Sequence, residues 1–352
     1  MTTPTDPAGP TNTAFPSLFS PLSIGSVTLK NRIFSSGHDT VMADHGRVSE
    51  QLVAYQEARA AGGVGLIVIQ VGAVHATAEY TAHALALHDD SSIEGYARLA
   101  EAIHRHGCPV FAQIFHGGRE IMDSLDGSLP VALAPSAVPT ERFHVMPRAM
   151  PLSLIEEIVA GYAAAARRVQ AAGLDGVEIV ASHGYLPAQF LNPRLNVRTD
   201  RYGGSLENRL RFLRDVIAAV RAEVGRDFVV GLRISIVEME PAGITQDESL
   251  EALRELDEDE TLDYVSVGRR QFSDTRGIGP HRAADDDAER LHGAARRARE
   301  GRGTGSGAGR RPREPAPGGG ADRRDRPGGR GGDDPGAHLR STPARQGIDR
   351  PS

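Results

Sequence analysis

Residues 178–212 read EIVASHGYLPAQFLNPRLNVRTDRYGGSLENRLRF, and this stretch decides the fold prediction. Its first four residues belong to the apolar segment GVEIVA (176–181), which is typical of a strand in a parallel sheet that is covered on both faces. A long loop follows at 182–204, and Ser205 then introduces a segment with helical periodicity at 206–224. The stretch therefore predicts one strand–loop–helix unit of a parallel α/β protein.

The same unit recurs along the chain. Apolar strand candidates alternate with segments whose apolar residues recur at helical spacing, which predicts parallel strands joined by helices. The predicted strands are 31–36, 66–71, 109–115, 176–181, 229–236 and 263–268, and the predicted helices are 49–61, 91–106, 153–172, 206–224 and 246–257. Ser49, Ser153 and Ser205 stand at positions typical of helix N-caps.

Two parallel architectures fit this alternation, an open doubly wound sheet and a closed barrel. No glycine-rich turn follows the first predicted strand, which argues against a nucleotide-binding doubly wound sheet. Long loops at 116–150 and 182–204 follow the third and fourth strands, at the strand ends where barrel enzymes hold their chemistry. We therefore predict an α/β fold, a (β/α)8 TIM barrel, of which only about six βα units are recognisable.

The two ends of the chain differ in composition from the barrel region. Residues 1–14, rich in Thr, Pro, Asp and Asn, are predicted to be a disordered lead without the features of a secretory signal. Residues 282–352 consist mainly of Arg, Gly, Asp, Pro and Ala, which bury too little apolar surface to offset the chain entropy. We expect an incomplete barrel over 15–281 and a disordered low-complexity tail over 282–352.

The composition of the tail also indicates a change of reading frame. A GC-rich gene read out of frame yields the Arg/Gly/Ala/Asp/Pro bias of this region. With one choice of codons for residues 333–341, a shift by one base gives the sequence Met-Thr-Arg-Ala-Leu-Ile-Ser-Asp. We hypothesise a frameshift between about Pro280 and Asp285. The nucleotide sequence of the gene tests this, because another frame must then restore a seventh barrel strand.

Composition also bears on partners and location. The formal net charge of −6 gives no general attraction to nucleic acid or to an anionic membrane, and the apolar runs are too short to span a bilayer. A nucleic-acid-binding tail is disfavoured because acids are interspersed with its arginines and aromatic residues are missing. The single cysteine, Cys108, excludes a disulfide framework and any four-cysteine metal or iron–sulfur site within this chain. We expect a cytoplasmic protein with no nucleic-acid partner, no membrane partner and no bound metal.

His183 and Tyr185 stand where the predicted strand 176–181 ends, at the mouth of the predicted barrel. A tyrosine phenol stays protonated at neutral pH and suits the protonation of a developing carbanion. A histidine can orient and polarise a substrate oxygen. The alternative interpretation of an isolated His-Gly-Tyr is a core histidine beside a packing tyrosine.

The wider context favours a catalytic role. The run HGYLPAQFLNPRLNVRTDRYGGSLENR (183–209) resembles the signature of the Old Yellow Enzyme family over more than two dozen contiguous positions. The resemblance extends to LFSPLSIGSVTLKNRI (18–33), YQEARAAGGVGLIV (55–68), AQIFHGGR (112–119) and VGLRIS (230–235). It covers about 18–281, and the nearest branch resembles the NADH:flavin oxidoreductase and 2,4-dienoyl-CoA reductase group.

The resemblance implies catalytic roles for two residues. Tyr185 matches the family's proton donor to the substrate carbon, and His183 matches the second of two residues that hold the substrate's carbonyl oxygen. The first of that pair falls on Val180, where many members have His, so one hydrogen-bond donor is missing. Members close to the dienoyl-CoA reductases also lack this His, which indicates the branch.

The resemblance also implies FMN as the cofactor. Gln113 matches the strand-three amide at the pyrimidine edge of the flavin, and Arg233 matches the strand-five cation beside N1 and O2. Ser36, Gly37 and Val71 match backbone and edge contacts on strands one and two. In this family the ends of strands seven and eight hold the flavin phosphate, and neither strand is recognisable in this sequence.

The implied activity is that of an FMN-dependent oxidoreductase. It would take hydride from NAD(P)H and deliver it to an activated C=C bond of a small unsaturated molecule, of the enone or enoyl/dienoyl thioester type. The alternative is a non-functional truncated barrel that does not retain FMN because the phosphate site is missing. An aldolase or metal-dependent lyase lacks support, since no strand end offers a Schiff-base lysine or a carboxylate–histidine cluster. The choice between NADH and NADPH and the oligomeric state, a homo-oligomer included, stay open.

Overall fold

A computed structural model of the chain describes residues 14–270, except residues 82, 123–130, 141–143 and 239–241. Its strands are β1 (Leu22–Ile24), β2 (Val27–Leu29), β3 (Phe34–Ser35), β4 (Leu66–Ala73), β5 (Leu85–Ala86), β6 (Val110–Phe115), β7 (Leu133–Ala134), β8 (Arg148–Ala149), β9 (Gly176–Ala181), β10 (Val229–Glu238) and β11 (Tyr264–Arg270). Its helices are α1 (Glu50–Ala61), α2 (Ile93–His104), α3 (Leu152–Ala171), α4 (Leu186–Leu191), α5 (Leu206–Val224) and α6 (Gln246–Glu258).

Six of these strands form one parallel sheet, which β5 extends beside β4. Their order in space is β3–β4–β6–β9–β10–β11, which is also their order along the chain. A doubly wound sheet reverses its strand order at a switch point, whereas a barrel adds its strands in one direction. The described residues therefore contain six consecutive strands of the barrel type, with at least one helix in each of the five connections between them.

The central strands are buried on both faces, as a parallel sheet between helices and a barrel interior requires. Every residue of β4, β6 and β9 is buried. On the outside, α1 packs beside α2 and α3 packs beside α5. The largest fully buried side chains include Phe111, Phe115, Phe190 and Phe212. The apolar runs that predict the strands are therefore the core of the molecule.

The helix N-caps agree with the sequence prediction at two of three positions. The Ser49 and Ser205 side chains accept hydrogen bonds from the backbone N–H groups of Leu52 and Asn208. The prediction for Ser153 is wrong, because α3 already begins at Leu152, after Pro151, and has no side-chain cap. Proline fixes φ near the value a helix entrance needs, so α3 starts without a capping hydroxyl.

The first strand is shorter than the predicted segment 31–36 and comprises only Phe34–Ser35. The side chain of Asn31 explains the difference. Its Nδ2 donates to the carbonyl of Gly63 at 2.9 Å, and its Oδ1 accepts from the backbone N–H of Ile33 at 3.0 Å. An asparagine that bonds the backbone two residues ahead holds a turn, which delays the strand.

Several predictions concern the ends of the chain. The tail 282–352, the frameshift site and all of the lead 1–14 except its last residue lie outside the described residues. Among the helices of the described part, none is long and apolar enough to cross a membrane.

Cys108 is buried just before β6, and desolvation raises the pKa of its thiol to about 11. At pH 8 only about one thiol in a thousand is then ionised, and the thiolate is the reactive form. We expect no measurable reaction of the folded protein with a thiol-specific disulfide reagent at pH 8. One equivalent should react when denaturant is added. Rapid stoichiometric reaction of the native protein would contradict this placement of the thiol.

Candidate active site

One row of side chains crosses five neighbouring strands of the sheet. In register, Val71 pairs with Gln113, Gln113 with Glu178, Glu178 with Gly231, and Gly231 with Tyr264. Gln113 Nε2 donates to Glu178 Oε1 at 2.7 Å, and the Tyr264 hydroxyl donates to Glu178 Oε2 at 3.0 Å. The sheet therefore places Glu178 between two donors that are far from it in sequence.

Gly231 has no side chain, and this makes the row possible. A Cβ at Gly231 would overlap the ring of Tyr264, the next residue of the row. The ring passes through that space, so its hydroxyl reaches the carboxylate of Glu178 two strands away. Glycine is required here because another chain element approaches the backbone closely.

Glu178 is a buried acid that the sequence prediction does not assign a role. Its side chain is 1% exposed, and desolvation raises its pKa. The hydrogen bonds from Gln113 and Tyr264 and the charge of Arg233 oppose this shift but do not cancel it. The signal is visible in the sequence, because Glu178 is the one charged residue of GVEIVA. An acid in the middle of a fully buried strand needs partners, and the row supplies them.

This raised pKa predicts a pH-dependent contribution of Glu178 to stability. The folded protein holds the proton at pH values where the unfolded chain, near its usual pKa of 4.5, has released it. The free energy of unfolding should therefore fall as pH rises from 4.5 to the folded pKa, by up to ~1.4 kcal/mol per pH unit. Glu178→Gln should lack this slope in urea unfolding at a series of pH values.

The control for this titration is Glu57→Gln. Hydrogen bonds from Arg105 and His106 lower the pKa of Glu57, which is half-buried at the surface of α1. Its contribution is therefore present above its unfolded pKa and lost only as the pH falls through the lower folded pKa. Glu57→Gln should keep the wild-type slope above pH 4.5, and identical slopes for wild type and Glu178→Gln would refute the assignment.

Arg233 lies beside this row, two residues beyond Gly231 on β10. It pairs in register with Val180 on β9 and with Ser266 on β11, and its Nη1 donates to Ser266 Oγ at 3.0 Å. Its Nε is buried and has no hydrogen-bond partner among the described residues. A buried donor without a partner costs free energy, so this nitrogen marks a place where an acceptor fits.

Ser36 and Gly37 follow β3 and meet the same row. A Cβ at Gly37 would overlap the side-chain amide of Gln113, so the two residues are in direct contact. A hydrogen bond of 3.0 Å joins the carbonyl of Ser36 to His38 Nδ1, and one of 2.6 Å joins His38 Nε2 to the Tyr55 hydroxyl. Since a carbonyl only accepts, we assign the proton of the neutral ring to Nδ1.

The aromatic group around Tyr185 forms the second part of the site. The Tyr185 ring centroid lies 5.0 Å from that of Phe115 and 5.6 Å from that of Tyr80, both in edge-on geometry. Val71 and Val180 belong to the same apolar cluster. Val71 also pairs in register with Gln113, so the aromatic group and the polar row meet at this position.

His183 lies in a sharp turn directly after β9. It has a left-handed φ of 56°, and Gly184 follows with a φ of 73°. Its exposed ring lies 6.0 Å from the Tyr185 ring, and its Nδ1 is hydrogen-bonded to Ser182 Oγ at 2.7 Å. Left-handed backbone at a residue with a side chain is uncommon and concentrates at functional sites.

The buried amide of Gln189, on α4, holds this turn in place. Its Nε2 donates to the carbonyls of Gly117 and Gly184 at 3.1 and 2.7 Å, and its Oε1 accepts from the N–H of Arg119 at 3.2 Å. The backbone N–H of Leu186 donates to the carbonyl of His116 at 2.9 Å. The loop after β6 and the turn after β9 are therefore joined, which fixes the position of Tyr185.

Two further residues of the site, Tyr80 and Asp39, carry no predicted role. The Tyr80 hydroxyl donates to the carboxylate of Asp39. Burial raises the pKa of Tyr80, and the neighbouring Tyr185 adds to the shift. Asp39 is exposed and also accepts from Gln70 Nε2 at 3.4 Å, while the Thr40 hydroxyl donates to Gln70.

The structure therefore places all seven predicted site residues within, or shortly after, strands β3, β4, β6, β9 and β10. Gly37, Gln113 and Arg233 lie at the polar row around Glu178, with Ser36 adjacent, whereas Val71, His183 and Tyr185 lie at the aromatic group. Val180 fills the position of the missing histidine with a buried apolar side chain. Among the described residues no cluster of three metal-ligating side chains occurs.

Comparisons with known proteins identify the family of the chain. A family model described as the NADH:flavin oxidoreductase / NADH oxidase family matches residues 17–282. An NADH oxidase of Thermoanaerobacter brockii is 39% identical over 249 residues, which are 70% of this chain and 38% of that protein. The chain thus spans little more than a third of that relative's length.

Two solved structures extend the comparison to the fold. A 2-naphthoyl-CoA reductase complex matches with a TM-score of 0.71 and 30% identity, over 82% of this chain and 45% of that one. Morphinone reductase in complex with tetrahydroNAD matches with a TM-score of 0.63 and 30% identity, over 72% of this chain and 73% of that one. The neighbours are barrels of the Old Yellow Enzyme type, which confirms the predicted fold class.

Proposed function

Because the chain belongs to the NADH:flavin oxidoreductase / NADH oxidase family, we propose that it is an FMN-dependent oxidoreductase. It passes hydride from NAD(P)H to the activated C=C bond of a small unsaturated molecule, of the enone or enoyl/dienoyl thioester type. FMN, when bound, supplies the two-electron chemistry that links the two substrates. The observation that carries the proposal is the buried, unpartnered Nε of Arg233 beside the Gln113–Glu178 pair, with Tyr185 close by.

The polar row has the donors and acceptors that a flavin ring requires. Arg233 offers an unsatisfied N–H and a positive charge, which favours the electron-rich form of the cofactor. Gln113 carries both an amide donor and an acceptor, and its orientation is fixed by Glu178. Gly37 has no side chain and so lets the Gln113 amide lie directly against its backbone, and Ser36 and Val71 complete the proposed flavin-binding set.

The aromatic group forms the part of the site that acts on the unsaturated substrate. Tyr185 is a neutral phenol, held between rings, and donates its proton to the substrate carbon that does not receive hydride. His183 binds the substrate's carbonyl oxygen and polarises the double bond. Val180 is a buried apolar side chain and offers no second donor, so His183 is the one residue of this pair that can bind the oxygen.

Flavin content tests the proposal directly. The purified full-length chain, incubated with FMN and desalted, should be yellow, hold about one FMN per chain, and be bleached anaerobically by NADH or NADPH. Arg233→Met should hold FMN at least about tenfold more weakly, because a charged hydrogen bond to the ring is lost. Arg226→Met removes an exposed arginine of the same barrel and should bind as wild type.

Two results would contradict these expectations. A folded wild-type chain that binds no FMN in excess cofactor would contradict the proposal and support the truncated-barrel alternative. Equal FMN affinity of Arg233→Met and wild type would remove Arg233 from the flavin site.

A further inference from the structure

A second tyrosine lies directly beside the proposed proton donor. Tyr80 is 6% exposed, and its ring packs edge-on against Tyr185 with the centroids 5.6 Å apart. The neighbouring Tyr185 phenol also contributes to the raised pKa of Tyr80. Phe115 closes the other side of Tyr185, at 5.0 Å, so the donor is enclosed by two rings. Tyr80 therefore contributes a buried phenol beside Tyr185.

The direction of the hydrogen bond between Tyr80 and Asp39 follows from the number of protons. The carboxylate of Asp39 only accepts, so the single phenolic proton of Tyr80 is donated to Asp39. The Tyr80 hydroxyl thus lies between the carboxylate of Asp39 and the hydroxyl of Tyr185, and both neighbours raise its pKa. This gives one continuous chain from Tyr185 through Tyr80 to Asp39.

The far end of this chain reaches solvent. Asp39 is exposed, whereas Tyr80 is buried and Tyr185 is half-buried. The side chain of Gln70, which is fully buried, holds Asp39 by a bond of 3.4 Å to Oδ1 and is itself fixed by the Thr40 hydroxyl. An acid that is fixed on one side and open to water on the other can exchange protons with the medium.

We propose that Asp39, Tyr80 and Tyr185 form a proton relay that reprotonates Tyr185 after each turnover. The relay rests on the proposed function. Tyr185 gives its proton to the substrate carbon, and the C=C bond gains this proton and one hydride. The carboxylate of Asp39 then takes a proton from the solvent and passes it to Tyr80 as Tyr80 gives its own proton to the Tyr185 phenolate, which returns Asp39 to the carboxylate. The net consumption is one hydride from NAD(P)H and one solvent proton for each double bond reduced.

The signature of a relay is a difference between the first turnover and later ones. Tyr185 is already protonated in the resting enzyme, so Tyr80→Phe should transfer hydride and proton to substrate within about twofold of the wild-type rate in a single turnover. Steady-state kcat should fall about tenfold, preceded by a burst of one turnover per flavin. A small buffer acid such as imidazolium should restore part of this loss. Asp39→Asn should behave in the same way.

A measurement without turnover tests the same contact. In protein labelled with 13Cζ-tyrosine, the Tyr185 signal should shift, and its titration should move, when Tyr80 becomes phenylalanine. Tyr96→Phe is the matched control, because Tyr96 is a fully buried tyrosine whose hydroxyl has no partner among the described residues. Asp44→Asn is the control for an exposed acid. Neither control should produce a burst or move the Tyr185 signal.

The outcomes separate the relay from the proposed function. A wild type that binds no FMN overturns the proposed function and the relay with it. A wild type that turns over, with Tyr80→Phe at wild-type kcat or with an unmoved Tyr185 signal, overturns the relay alone. Equal slowing of the first and later turnovers also overturns it, because Tyr80 would then serve only to pack Tyr185. Should Tyr80→Phe unfold, Asp39→Asn carries the test, since Asp39 is exposed.

Discussion

The Tyr185→Phe variant is expected to accept hydride from NAD(P)H at the wild-type rate and to reduce the unsaturated substrate about 10²–10⁴-fold more slowly. The variant loses only the proton donor, and general acid catalysis typically contributes a factor of this size. The contacts of Tyr185 with Phe115 and Tyr80 involve the ring, so phenylalanine keeps the packing of the aromatic group. The two half-reactions are measured separately by anaerobic stopped-flow spectroscopy of the flavin absorbance.

The comparison of the two half-reactions decides the role of Tyr185. Tyr96→Phe removes a buried hydroxyl that has no hydrogen-bond partner among the described residues and should leave both rates within about twofold. If Tyr185→Phe slowed both half-reactions equally, its hydroxyl would act in binding or folding and the proton-donor role would be lost.

The Gln189→Leu variant is expected to lower the free energy of unfolding by about 3–5 kcal/mol. Leucine is of similar size but removes the three hydrogen bonds of the Gln189 amide, to the carbonyls of Gly117 and Gly184 and from the N–H of Arg119. The Gly117 carbonyl still accepts from the N–H of Glu120 at 3.2 Å, so the main loss is at Gly184 and Arg119. Each buried group left unsatisfied costs about 1–3 kcal/mol. Urea unfolding of the two proteins at one pH measures the difference.

Gln51→Leu is the matched control for this substitution. Gln51 is exposed on α1, so the same chemical change should alter stability by no more than about 0.5 kcal/mol. A loss below about 1 kcal/mol in Gln189→Leu would mean that water or a shifted backbone replaces the three bonds. The turn after β9 would then be held by other contacts than those of Gln189.

Much of the fold follows from local sequence patterns. The bounds of β9 are those predicted, and α5 begins and ends at the predicted residues. Both elements carry strong local signals, a continuous apolar run in the strand and a serine cap before the helix. The first strand differs because the side chain of Asn31 competes for the backbone, which periodicity alone does not reveal.

The polar row could be predicted only in part. The roles of Gln113 and Arg233 can be predicted from the family resemblance. The charge of Glu178 within an apolar strand indicates a buried polar group that needs partners. Tyr264 as a partner of Glu178 is not predictable from local pattern, because it depends on strand register and on the missing side chain of Gly231. Contacts that cross several strands are set by the sheet as a whole.

The contact between Tyr80 and Asp39 shows that contacts between loops are also not predictable from local sequence patterns. They are 41 positions apart, each follows a different strand, and neither lies in a segment with a regular pattern. Their contact arises because parallel strands bring their carboxyl ends to one edge of the sheet. The sequence predicts that edge but not which loop residues meet there.

The backbone of His183 has a consequence for protein engineering. With a φ of 56°, this position accepts glycine, asparagine and aspartate but penalises valine, isoleucine and threonine, whose branched side chains clash in the left-handed region. A saturation library at position 183 would therefore contain many variants that fail in folding before they are tested for substrate range. A screen restricted to Gly, Asn, Asp and His would separate the chemistry of the side chain from the conformational demand of the turn.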